Sequence, residues 1–91
     1  MPNEVHCAHI LVRTEQEAKT VLERLNRGEK FANIAKEVSQ CPSGKKGGDL
    51  GTFSRGRMVK EFETAAFALP KGQVSPVVKT TFGYHIIKRL E

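Results

Sequence analysis

The stretch Cys41–Gly51, CPSGKKGGDLG, packs a thiol, a proline, two lysines and four glycines into eleven residues, and Phe53 follows almost at once. That glycine density defeats both a helix and a regular strand, so the segment is expected to be a shaped loop that delivers Asp49–Phe53 into a strand. Its natural partners lie at the two ends of the chain, HCAHILVR (His6–Arg13) and TFGYHIIKRL (Thr81–Leu90), where a histidine stands inside an apolar, strand-like run.

Outward from the loop, the apolar periodicity changes element by element. Val5, Cys7, His9 and Leu11 alternate with His6, Ala8, Ile10 and Val12, and both sets are mostly apolar, as in a central strand covered on both faces. Thr14-Glu15-Gln16-Glu17 is a capping-box pattern, in which the Thr14 hydroxyl and the Glu17 carboxylate are expected to satisfy backbone amides reciprocally. Ala18, Val21, Leu22 and Leu25 then form a helical stripe, with Gly28 as its stop. Phe31, Ile34, Ala35 and Val38 predict a second helix to about Ser39. After the loop and its short strand come a turn at Ser54–Gly56 and a third stripe, Phe62, Ala65, Ala66 and Leu69, closed by Pro70 and Gly72. Val74–Thr80 is β-rich but interrupted by Pro76, which suits an edge strand or a bulge, and Tyr84–Leu90 is a last strand. The order β-α-α-β-α-β-β is an α+β pattern in one domain spanning residues 1–91.

Ninety-one residues, 38% hydrophobic and 27% charged, describe one ordinary globular domain with a single modest core. No apolar run approaches the roughly 20 residues of a membrane span, and no signal segment is evident, so a cytoplasmic protein is expected, although a domain cut from a larger exported protein would read the same; the expected state is a monomer. The two cysteines are 34 positions apart, without zinc-ligand spacing, and are expected to be free thiols. The net charge of +5 is concentrated: Lys45, Lys46, Arg55, Arg57 and Lys60 face only Asp49 within residues 45–60, a local excess of +4. Such a segment reads as a solvated lysine-rich loop, as a substrate-steering surface, or as a nucleic-acid contact. The absence of interleaved aromatics apart from Phe53 argues against base stacking.

HILV (His9–Val12), CPSGKKGGDLGTF (Cys41–Phe53), GRMVKEFETAAFAL (Gly56–Leu69) and TFGYHIIKRL together resemble the parvulins, small peptidyl-prolyl cis/trans isomerases. The resemblance runs from about Val5 to Leu90 with all four motifs in order. It implies a four-stranded antiparallel sheet wrapped by about four helices, no cofactor, no metal, and substrates that are proline-containing peptides and unfolded proteins. It also implies a chaperone-like contribution to folding. Position by position, it makes His9 and His85 a pair at the sheet centre and places Cys41 where the family carries a cysteine or an aspartate. Leu50, Met58 and Phe62 match the pocket for the proline ring, with Phe82 and Thr80 at its rim and Cys7 close to the histidines.

The chemistry is consistent with those residue types. Rotation about a peptide bond faces a barrier of about 18–20 kcal/mol, and uncatalysed Xaa-Pro bonds take tens to hundreds of seconds to interconvert. No bond breaks, so an apolar slot that strips water from the imide and grips the ring is what helps. Each tenfold gain needs about 1.4 kcal/mol of selective transition-state stabilisation. Were the third helix to begin by Met58, Met58 and Phe62 would share one face at i and i+4; plain core packing is the alternative for both, and for Leu50. The histidines are expected to be buried, neutral and mutually bonded, organising the site rather than shuttling protons. Three readings of Cys41 stay open: a thiolate with a charge role, a silent thiol, and a covalent thiohemiketal. The basic residues Lys45, Lys46, Arg55, Arg57 and Lys60, on either side of the groove, suit an acidic or polar residue before the proline. The connection Arg13–Glu17 is short and carries two carboxylates, unlike the extended basic loop of phospho-directed parvulins, so activity independent of phosphorylation is expected. Two other chemistries use the same residue types: a cysteine hydrolase with Cys41 and either histidine, and a metal site built from His6, Cys7, His9 and His85, whose spacing does not suit structural zinc.

Overall fold

The computed structural model describes residues 4–91. Strand β1 (Glu4–Val12) is followed by helices α1 (Glu15–Asn26) and α2 (Phe31–Val38), then by β2 (Asp49–Ser54), α3 (Lys60–Ala68), β3 (Val78–Thr80) and β4 (Gly83–Arg89). The strands form one antiparallel sheet in the order β2-β1-β4-β3, so the first and last strands of the chain lie side by side at its centre. This is the α+β architecture expected for a parvulin, with three α-helices and one short 3₁₀ segment around the sheet.

The two apolar registers of β1 are explained by the two cores that the sheet separates. Ala8, Ile10 and Val12, with Ile86 of β4, pack against Ala18 and Val21 of α1 and Phe31, Ile34 and Ala35 of α2. Val5 and Cys7, with Ile87, pack on the opposite face against Phe53 of β2 and Phe62 and Ala66 of α3. Because successive strand residues point to opposite faces, His9 falls on the α3 side with Val5 and Cys7.

Local signals behave largely as expected, with instructive exceptions. Thr14 caps α1 by accepting from the Glu17 amide at 3.2 Å, but the Glu17 carboxylate takes the Thr14 hydroxyl proton at 3.0 Å rather than the Thr14 amide. The glycine-rich loop contains a helix after all: Pro42–Lys46 is a 3₁₀ turn, started by proline and ended at Gly47. Glycine serves close approach there, since a Cβ on Gly44 would lie 2.9 Å from the Ala35 carbonyl oxygen of α2. Helix α3 begins at Lys60, so Met58 precedes it and is not on a helical face with Phe62. The β-rich run after Val74 narrows to Val78–Thr80, because Pro76 has no amide to donate; Val74 keeps only an isolated bridge to Lys88.

The feature that shapes the site is a bulge in β2. His6 pairs with Thr52 and Ala8 with Asp49, so Leu50 and Gly51 together stand opposite Cys7. In an unbroken ladder Leu50 would oppose Ala8 and face α1 and α2. The extra residue, with Gly51 at φ 73°, turns it to the α3 side instead.

Candidate active site

Strand pairing brings the two sequence-distant histidines together. His9 is opposite Ile87 and Leu11 is opposite His85, so the imidazoles are diagonal neighbours on the α3 face of the two central strands. Their Nδ1 atoms are 3.0 Å apart and their rings stack at 5.2 Å and 20°. Both are buried, at 5% and 4% exposure. Phe62 of α3 meets both rings near the perpendicular, at 5.4 and 5.3 Å. Burial first, and the neighbouring His85 second, push the His9 pKa down to about 4; burial lowers that of His85 as well. Two neutral imidazoles at neutral pH follow, one donating through Nδ1 and the other accepting.

Thr80 favours one of the two arrangements. Its hydroxyl oxygen accepts from the Phe82 amide at 3.1 Å and lies 2.7 Å from His85 Nε2. The assignment that pairs the protons of both Thr80 and His85 has the hydroxyl donating to His85 Nε2 and His85 Nδ1–H donating to His9 Nδ1. The remaining His9 proton then sits on Nε2, a buried atom with no hydrogen-bond partner. Thr80 is therefore not at the rim, where the resemblance put it. It is 7% exposed and stands behind His85, because the β3–β4 hairpin directs it inward one residue before the turn.

Above the histidines opens a cleft of about 500 Å³, within the range of roughly 300–1,000 Å³ usual for small-ligand sites. His9, His85, Leu50, Met58 and Phe62 all line it, with Cys41 on one side and Phe82, 68% exposed, at the lip. Met58 reaches it from the segment before α3 rather than from the helix, and Leu50 reaches it through the bulge. Leu11, Gln40, Pro42 and Val59 also line it and were not singled out from sequence. Leu11 was accessible to parity, since it shares the face of His9 on β1; Gln40 and Pro42 flank Cys41 but carry no distinguishing pattern. A larger hollow of about 610 Å³ lies among the end of α1, the start of α2 and β4. It contains none of the residues above, and its carboxylate, Glu29, is held by Arg24 at 2.8 Å.

Cys41 is half-buried, and its sulfur accepts from the Ser43 hydroxyl at 3.2 Å. The histidines bond each other rather than the sulfur, so the thiol–imidazole pair of a cysteine hydrolase is not assembled. Cys7 is wholly buried, and desolvation pushes its thiol up to about 11, with nearby Arg89 opposing; it packs rather than reacts. Among the described residues no three His, Cys, Asp or Glu side chains gather to hold a metal ion. His6 turns to the opposite face, where its Nε2 is 2.7 Å from Asp49 Oδ1.

The basic residues do not act as one surface. Arg57 lines the cleft. Arg55 instead stacks over the Phe67 ring at 4.2 Å, and Lys45, Lys46 and Lys60 are exposed outside the lining.

Comparison with known proteins finds relatives of the same sequence family and fold over nearly the whole chain. Residues 9–91 match the family model described as the PPIC-type peptidyl-prolyl isomerase, or rotamase, domain. The foldase protein PrsA of Geobacillus kaustophilus is 55% identical over 86 residues, which are 93% of this chain and 31% of that protein. The chain thus spans about a third of that curated relative. Among solved structures, the crystal structure of PrsA from Bacillus cereus superposes with a TM-score of 0.94 at 51% identity, covering 98% of this chain and 35% of that one. The solution structure of NmPin, the parvulin of Nitrosopumilus maritimus, gives 0.90 at 51% identity and covers 100% and 99% of the two chains.

Proposed function

The chain belongs to the parvulin family of PPIC-type peptidyl-prolyl cis/trans isomerases, and from that premise we propose that it isomerises Xaa-Pro bonds of exposed or unfolded polypeptide by a non-covalent route. The observation that supports this best is an apolar cleft whose floor is a pair of neutral, mutually bonded histidines.

The proline ring enters among Leu50, Met58 and Phe62, and Met58 adapts its unbranched side chain to the ring. Insertion removes water from the imide. The planar ground state, with its large amide dipole, is hydrated best, so desolvation favours the twisted transition state in which resonance is lost. The histidines hold the floor uncharged and rigid, and a partly exposed thiol at Cys41 leaves one polar contact beside the turning carbonyl. A thousandfold acceleration requires only about 4 kcal/mol of such selectivity. A groove of this kind also suits chaperone-like retention of unfolded chains, in keeping with the foldase name of the PrsA relatives.

Activity independent of phosphorylation belongs to the same proposal. Only Arg13 and Thr14 connect β1 to α1, which leaves no room for a basic phosphate-binding loop. An acidic residue before the proline is favoured by the positive charge that Arg57 brings to the cleft.

The deciding experiment is cis/trans exchange of a set of Xaa-Pro peptides by NMR, with the wild type, Met58→Ala, Cys41→Ser and Cys41→Asp. Acceleration by the wild type and the loss of most of it in Met58→Ala are expected. Retention in Cys41→Asp but not in Cys41→Ser assigns the thiol a charge role. A wild type that leaves exchange untouched across the set removes the catalytic reading.

A further inference from the structure

We infer that Arg57 alone, of the five basic residues around the loop, reads the substrate, by selecting an unphosphorylated acidic side chain directly flanking the proline; this rests on the isomerase reading above. Arg57 is the one formally charged residue in the lining of a cleft whose other walls are apolar side chains, neutral imidazoles, a thiol and one amide. Among the described residues no carboxylate lies within ion-pairing distance of its guanidinium, although Glu61 and Glu63 follow it in the chain.

The backbone that carries Arg57 is held on its N-terminal side by the two residues before it. Arg55 is held over Phe67 of α3. The Gly56 amide donates to Glu63 Oε1, which gives that carboxylate a backbone partner. Gly56 has φ 88°, a left-handed conformation immediately before Arg57. Arg57 lines the cleft as an exposed residue, next in the chain to Met58, which grips the ring. A lone guanidinium matches a single carboxylate; binding a phosphate dianion characteristically takes a cluster of arginines.

The test measures kcat/KM by NMR exchange on peptides that differ only in the residue before the proline, or only in the one after it, chosen from Glu, Gln and Lys. In the wild type Glu should exceed Gln, and Gln exceed Lys, at one of the two positions. Each step should be about threefold, the worth of one exposed charge pair, and should flatten in about 0.5 M salt. Arg57→Glu should invert the order, and Arg57→Gln should level it. Using ratios within one variant cancels any general loss of activity. The double variant Lys45→Glu/Lys46→Glu removes twice the charge outside the cleft and should leave the order as it is. The inference is overturned if Gln peptides are isomerised but Arg57→Glu keeps the wild-type order, or if the double lysine variant is what inverts it. Failure to isomerise any peptide instead removes the isomerase reading, and this inference with it.

Discussion

Acidification should unfold this domain in a window set by the histidine pair. His9 is buried at the sheet centre, and its pKa is pushed down to about 4 from an ordinary 6.5, by desolvation first and His85 second. Above pH 6.5 the ring is neutral in both folded and unfolded chains, and the native state bears no penalty. As pH falls below 6.5 the unfolded chain takes up a proton that the folded chain refuses, so stability is lost progressively down to about pH 4. Integrated from pH 7 to 4.5, His9 alone accounts for about 2 kcal/mol. The lowered pKa of His85 adds a loss of the same sign. For a domain whose total stability is about 5–10 kcal/mol this is a large share. With a urea m-value near the lower end of about 1–3 kcal/mol/M, the midpoint should fall by about 2 M. Above about pH 5 the carboxylates add little: Asp49, held by the Gly51 amide and His6, and Glu29 and Glu37, held by Arg24, have pKa values below their ordinary 3.8 and 4.5, and their loss, of the same sign, develops as pH falls toward and through those ordinary values. Urea unfolding followed by circular dichroism at half-unit steps of pH, in a His6→Gln background that removes the third imidazole, measures the effect. A midpoint that stays constant from pH 7 to 5 with an unchanged m-value would show that the sheet centre accommodates an imidazolium, and the neutral-pair account of the site would be refuted.

Three further outcomes follow from the packing. Gly48→Ala should prevent folding or destabilise by more than about 2 kcal/mol, because its φ is 85° and the new Cβ would lie 2.3 Å from the His9 carbonyl oxygen; Gly72→Ala, at φ 83° with open space around it, should cost only about 1–2 kcal/mol. Thermal or urea denaturation of the two variants separates conformational strain from collision. Thr80→Val should cost about 1–3 kcal/mol by leaving His85 Nε2 and the Phe82 amide unpaired, and nitrogen NMR should report a changed His85 tautomer; an unchanged spectrum would refute the proton assignment. Phe62→Ala should lose about 3–5 kcal/mol of stability, since Phe62 is 3% exposed in the core. Met58→Ala, at a half-buried position in the lining, should instead lower kcat/KM about tenfold with little change in the unfolding midpoint.

Much of the architecture was legible in the chain itself, because it depends on local order. The double apolar register of Val5–Val12 required a strand with a core on each face, and the stripes at Ala18–Leu25, Phe31–Val38 and Phe62–Leu69 required helices. A histidine inside each of two apolar strands announced a buried polar pair. What local order does not contain is register. Which residue of β4 lies diagonal to His9, and that Thr80 rather than a solvent molecule satisfies His85, depend on pairings between residues far apart in sequence. The bulge that carries Leu50 from one face of the sheet to the other is a single extra residue, invisible to any pattern within β2. The five basic side chains were equivalent as a sequence cluster, and only the tertiary structure sets Arg55 over Phe67 and Arg57 in the lining of the cleft. Composition and periodicity determine what each segment must bury; the closing of the sheet decides which side chains then face one another, because those contacts are made only when distant strands pair.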